Sequence, residues 1–169
     1  RVESSRRGKE HRLIMKILAI DTSAGPASCA VAEEGRLLAS AFQNTRLTHS
    51  QTLLPMVESM LRGAALTLEE MEVVAVAAGP GSFTGLRIGV AAAKGLAWPG
   101  DKPCAGVSTL EAMAWPLAHL EADLCAVMDA RRNQVYNARF QACGGILERL
   151  CPDRAIPVEE LALELENRK

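Results

Sequence analysis

Apolar and polar positions change their period several times along the chain, and each change marks an element. Lys16 to Ile20 is a short apolar run that delivers Asp21-Thr22-Ser23 at its end. Ala24-Gly25-Pro26 turns the chain, Ser28 to Ala32 makes a second strand, Glu33-Glu34-Gly35 turns it again and Arg36 to Phe42 makes a third. The pattern predicts an antiparallel meander with an acid at its first turn. Leu53, Val57, Met60 and Leu61 then recur at helical spacing behind Thr48 and Gln51, which have the form of a capping box. Pro55 lies too deep for the first helical turn and is expected to bend the helix or remove a hydrogen bond. Thr67 with Glu70 repeats the capping pattern and predicts a shorter helical turn.

The most informative stretch follows, VVAVAAGPGSFTGLRIGVAAAKGLAW, from Val73 to Trp98. Val73 to Ala78 reads as a buried strand, Gly79-Pro80-Gly81 as a tight turn, and Thr84 to Ala97 as a helix. Free N–H groups and the positive end of the dipole make such a helix start a candidate seat for phosphate, with Gly79, Gly81 and Ser82 around it. The spacing misses the dinucleotide fingerprint, because Thr84 stands where the third glycine belongs and Gly85 comes one residue late. It also lacks the Walker motif and the G-x-S-x-G nucleophile elbow. The other account of these glycines is turn geometry and close packing. Gly85 and Gly89 lie four apart, Ala92 and Ala93 continue that side, and each interior glycine costs up to about 1 kcal/mol against alanine, so close approach of another backbone is expected there. The approaching backbone is either the protein's own sheet or a partner helix.

Pro99-Gly100 breaks the chain, Pro103 to Val107 reads as another strand, and Ser108 with Glu111 caps a helix ending near Pro116 to His119. Three strands followed by alternating helix and strand is the plan of a ribonuclease-H-like half. The plan then begins again. Leu124 to Met128 ends in Asp129 as the first strand ends in Asp21, Val135 to Phe140 resembles a second strand, Gly144-Gly145 a turn and Ile146 to Leu150 a third. The α/β fold expected is a pair of ribonuclease-H-like halves, at 15–120 and 121–169, with the second incomplete; either the chain is a fragment or its second half is short. Residues 1–14 are expected to be a disordered extension and Met15 to open the folded part. The final VEELALELENRK reads as an exposed amphipathic end.

Composition narrows the function classes. A net charge of -1 and 4% aromatic residues give no global case for nucleic-acid binding. Arg131-Arg132 would neutralise at most about two phosphates, so they read as solvated turn charges. The five cysteines are odd in number, form no C-x-x-C pair and mostly lie in apolar runs, which predicts reduced core residues in a cytoplasmic protein. No apolar stretch is long enough to span a membrane, and the basic start has no signal-peptide pattern. The three histidines, His11, His49 and His119, are scattered, so no metal or other cofactor is expected; His49, in the first turn of a capped helix, reads as a surface or packing residue.

Four segments, MKILAIDTSAGPASCAVAEEGRLLA, THSQTLLPMVESML, VAVAAGPGSFTGLRIGVAAAKGLAW and VMDARRNQVYNARF, together resemble the bacterial TsaB family, also called YeaZ, over nearly all of Met15 to Leu150. The GPGSFTGLRIG block is the specific part, and the strand, Gly-Pro-Gly turn and helix also resemble, more distantly, the threonylcarbamoyltransferase family TsaD. The resemblance implies the actin, Hsp70 and sugar-kinase-like fold. It also implies a role in forming N6-threonylcarbamoyladenosine in tRNA, as a catalytically silent partner of TsaD acting with the ATPase TsaE, and contact with tRNA only through the complex.

The His-His-Met-Glu-Gly-His metal run of TsaD falls on Ser108 to Met113, which places Thr109 and Met113 at the ligand positions. In kinases of this fold an acid at the end of the first strand orients a metal-bound nucleotide. By that comparison Asp21, Thr22 and Ser23, with Gly79, Gly81 and Ser82, are candidates for a weak nucleotide site, an Asx-type cap being the other account of Asp21. Arg87 is expected to pair with Asp21 or to face a partner. A docking face for TsaD, or for a second copy in a homodimer, is expected from His49, Leu53, Leu54, Gly85, Arg87, Gly89, Ala92 and Ala93, with leucine at Gly89 blocking it while the monomer stays folded. Two other functions fit the same residues: an ATP-dependent transferase or kinase using Asp21, and a peptidase with Ser82 as nucleophile.

Overall fold

In the computed structural model, which describes residues 15–45 and 47–166, the meander forms as the pattern predicts. β1 (Lys16–Asp21) pairs antiparallel with β2 (Ala27–Glu33), and β2 with β3 (Arg36–Gln43). Helix α1 (His49–Gly63) carries the chain back, so that β4 (Val73–Gly79) lies parallel to β1. Helix α2 (Phe83–Ala97) repeats the crossover to β5 (Cys104–Ser108), giving a first sheet in the order β3-β2-β1-β4-β5.

Both helices cover one face of this sheet. Leu18, Ile20, Cys29, Val31, Val74 and Val76 point into it and meet Leu53, Met56, Val57, Met60 and Leu61 of α1 and Ala93 and Ala97 of α2. The capping box at Thr48 and Gln51 forms. Pro55 sits inside α1 on its exposed side, where the missing donor removes one i to i−4 bond without uncovering a core atom. Thr67 and Glu70 make their capping contact, the Thr67 N–H donating to Glu70 at 2.7 Å, but no helix follows. Only Met71 and Glu72 remain before β4, too few to repay a helical nucleus.

The link to the second sheet is α3 (Thr109–Ala114), capped by the Ser108 hydroxyl, which accepts from the Glu111 N–H at 3.2 Å. The plan then restarts with β6 (Ala122–Arg131) and β7 (Gln134–Cys143) as an antiparallel pair. The expected third strand, Ile146 to Leu150, forms, and a further short strand that the pattern does not predict follows it on the same side of β7. β8 (Ile146–Arg149) pairs with the far end of β7 and β9 (Arg154–Pro157) with its near end, with Pro152 in the gap. Leu110 and Ala114 of α3 pack on Ala126, Ala138 and Phe140 to form a second, smaller core.

The last helix, α4 (Val158–Glu166), is the mostly exposed amphipathic end expected, with Leu163 and Leu165 outward and one side anchored. Leu161 is buried, and Glu164 accepts from Arg154, whose guanidinium also donates to the buried Asn137 side chain at 3.1 and 3.2 Å. The disordered extension expected at 1–14 lies outside the described residues.

The cysteines require a correction. All five are free thiols, but only Cys29 is buried; Cys104, Cys125 and Cys143 are exposed because β5 and β6 are edge strands and Cys143 closes β7. Burial pushes the Cys29 thiol up to about 11, so it is a poor nucleophile at neutral pH. Under native conditions an aromatic disulfide reagent is expected to modify Cys104 and Cys125 quickly, Cys143 more slowly because the Glu121 carboxylate beside it pushes its thiol up, and Cys29 only after unfolding. Mass mapping of the labelled peptides checks this.

Candidate functional site

The candidate residues converge where β1 ends and α2 begins, but they bind one another. Past β1, Thr22 and Ser23 are both buried beneath the first turns of α2. The Thr22 hydroxyl donates to the Gly85 carbonyl at 2.8 Å, and the Ser82 N–H donates to the Ser23 carbonyl at 2.7 Å. A Cβ at Gly85 would fall closer than 3.0 Å to the Thr22 carbonyl oxygen, and one at Gly89 would meet the Thr22 hydroxyl as closely. Gly81 lies against Ser23 in the same manner. The small-residue side of α2 is therefore a cradle for the protein's own backbone.

This decides between the two accounts of the glycines and corrects the expected docking face at several positions. Gly85, Gly89 and Ala93 are buried on the first sheet, and Leu53 is in the core of α1. Leucine at Gly89 would not leave the monomer intact. Of the expected partner positions, Leu54 is half exposed, Arg87 is exposed, and His49 and Ala92 are intermediate. Arg87 lies 4.0 Å above the ring of Phe83, itself 69% exposed, and does not pair with Asp21. Phe83 is the surface residue the sequence reading missed; a large aromatic at the first turn of a small-residue helix was the available signal.

Asp21 forms the Asx-type turn, its carboxylate accepting the Ser23 N–H at 2.8 Å. The second half repeats the device, with Asp129 accepting the Arg131 N–H at 2.7 Å. The same local solution at equivalent strand ends supports the duplicated plan. Ser82 caps α2 by accepting the Gly85 N–H at 3.3 Å, and His49 Nε2 bonds the Gly25 carbonyl at 2.9 Å. A nucleophilic serine needs its base on the hydroxyl, and neither bond joins these two side chains. His119 Nδ1 bonds the Pro116 carbonyl at 3.0 Å and is exposed.

Beside this knot is an open cavity of about 970 Å³, walled on one side by Ser23–Gly25, His49, Ser82 and Phe83 and on the other by Asp129, Arg131 and Tyr136 of the β6–β7 hairpin. The N-termini of α1 and α2 both reach it, and at α2 the Ser82 hydroxyl takes the Gly85 N–H. Among the described residues no three His, Cys, Asp or Glu side chains are grouped to hold a metal ion, and Thr109 is buried while Met113 is 45% exposed. No helix among the described residues is long and apolar enough to cross a membrane.

Residues 36–168 match the family model described as TsaD, tRNA N6-adenosine threonylcarbamoyltransferase. The alternating strand and helix plan and that match place the chain among the TsaD-type α/β proteins. The tRNA threonylcarbamoyladenosine biosynthesis protein TsaB of Bacillus subtilis (strain 168) is 39% identical over 142 residues, which cover 84% of this chain and 62% of that protein. TsaB of Escherichia coli (strain K12) is 41% identical over 130 residues, 75% of this chain and 55% of that protein. The solved structure of YeaZ from Pseudomonas aeruginosa superposes with a TM-score of 0.75 at 33% identity, over 85% of this chain and 68% of that one. The chain belongs to the TsaB (YeaZ) family, and spans 62% and 55% of the lengths of the two TsaB relatives.

Proposed function

We propose that this chain acts in the formation of N6-threonylcarbamoyladenosine in tRNA, as a non-catalytic partner of TsaD in an assembly that includes TsaE. The relatives named for that biosynthesis support the process. The observation that carries the silent role is the filling of the α2 cradle: the glycine loop that would approach a phosphate instead encloses Thr22 and Ser23, and the Ser82 N–H is taken by the Ser23 carbonyl. Docking to TsaD then falls to the outward sides of α1 and α2, at Leu54, Phe83 and Arg87. The same sides support pairing of two copies when TsaD is absent. The proposed halves, 15–120 and 121–169, place both helices in the first, and tRNA is reached only through the complex.

The kinase reading and the scaffold reading give opposite results in one experiment. Calorimetric titration of the protein with ATP and magnesium is expected to show no saturable heat. Saturable binding that Asp21→Ala abolishes would replace the scaffold reading with a nucleotide-dependent one.

A further inference from the structure

The seam between the two sheets is held by charges that the gap between β8 and β9 puts there. Because β8 and β9 are separated by residues 150–153, Asp153 leaves the sheet and reaches the point where β5 becomes α3. Its carboxylate accepts the Ser108 hydroxyl at 2.6 Å, the same hydroxyl that caps α3 at the Glu111 N–H. Arg149, the last residue of β8, spans the remaining gap. It donates to Asp153 at 2.6 Å and to Glu111 of α3 at 2.7 Å, while its guanidinium lies 4.8 Å above the ring of Phe140 in the second core. One arginine thus ties strand, loop and helix together.

An opposing feature sits one residue away. The Thr109 side chain is buried, and its hydroxyl has no hydrogen-bond partner among the described residues. A buried hydroxyl without a partner disfavours the closed seam, and admitting water would relieve it. The ion pairs involve side chains between 28% and 46% exposed, so they hold the seam without making it permanent.

We propose that Arg149, Asp153 and Ser108 form a latch that holds α3 between the two sheets against the opening tendency of Thr109. From α3 the chain passes into β6, whose far end, at Asp129 and Arg131, is one wall of the cavity. Opening the latch lets that wall move relative to Ser23–Gly25 and Phe83. The latch is a positioning device for the cavity.

The test is native-state hydrogen exchange on the full chain, comparing Arg149→Met, Thr109→Val and the double variant. Arg149→Met is expected to speed exchange of the hydrogen-bonded α3 amides, Glu111 to Trp115, about tenfold, the effect of losing two half-exposed ion pairs, while β1 and β4 are unchanged. Thr109→Val, which removes the orphaned hydroxyl at nearly constant volume, is expected to slow α3 exchange, and the double variant to return toward the parent. Raising salt to about 1 M, where the screening length falls to about 3 Å, should reproduce the Arg149→Met pattern in the unmodified protein. Unchanged α3 exchange, or acceleration spread equally over both sheets, overturns the latch. Should Arg149→Met fail to fold, Glu111→Gln and the salt series give the same decision.

Discussion

Gly85→Ala is expected to destabilise the protein by about 3 kcal/mol or more, at the upper end of the usual cost of overpacking. The added methyl would collide with the Thr22 carbonyl oxygen, a buried backbone atom just past the end of β1, so relief requires moving that segment or the helix. Moving either also breaks the 2.8 Å bond from the Thr22 hydroxyl to the Gly85 carbonyl. The control lies in the same helix. Gly95 has nothing near its missing Cβ, so Gly95→Ala is expected to stabilise by about 0.5–1 kcal/mol through helix propensity alone. Urea unfolding of the two variants should move in opposite directions. Equal shifts would show that the cradle is slack.

Under the proposed docking, Leu54→Glu combined with Phe83→Ala is expected to weaken association with TsaD at least about tenfold while leaving unfolding midpoints close to the parent. Leu54 is 50% exposed and Phe83 69% exposed, so neither anchors the core. A few central anchors, aromatic side chains prominent among them, carry about 2 kcal/mol or more each at an interface. Phe83 is also held in place by the stacked Arg87, which limits the entropy lost on docking. Calorimetric titration against TsaD, with sedimentation to follow self-association, reads both consequences. Undiminished affinity would move the docking surface elsewhere.

Much of the fold was legible because period and punctuation agreed. The meander, the capped α1 and the strand, turn and helix around Gly79-Pro80-Gly81 each had an apolar period bounded by residues with a specific backbone role. The two acids at strand ends were visible as a repeat, and their Asx turns explain why aspartate suits both places. What failed to show was anything decided by contacts distant in sequence. A stripe of glycine and alanine looks the same whether a sheet or a partner covers it, and only the position of Thr22, 63 residues before Gly85, settles which. The cysteines misled because an apolar edge strand and an apolar central strand share a composition. Strand β9 was hidden for a related reason: the apolar run stops at Leu150, and the pairing that resumes beyond Pro152 on the same neighbour has no periodic run of its own.

The enclosure of Thr22 and Ser23 also constrains the order in which the polypeptide assembles. The N-terminal turn of α2 closes around a segment made some sixty residues earlier, so it gains its bonds only once the first strand is seated beside the fourth. Such distant partners raise contact order and slow the search. During synthesis, α2 would emerge with its glycines unsupported and acquire a fixed start only after β1 and β4 have paired.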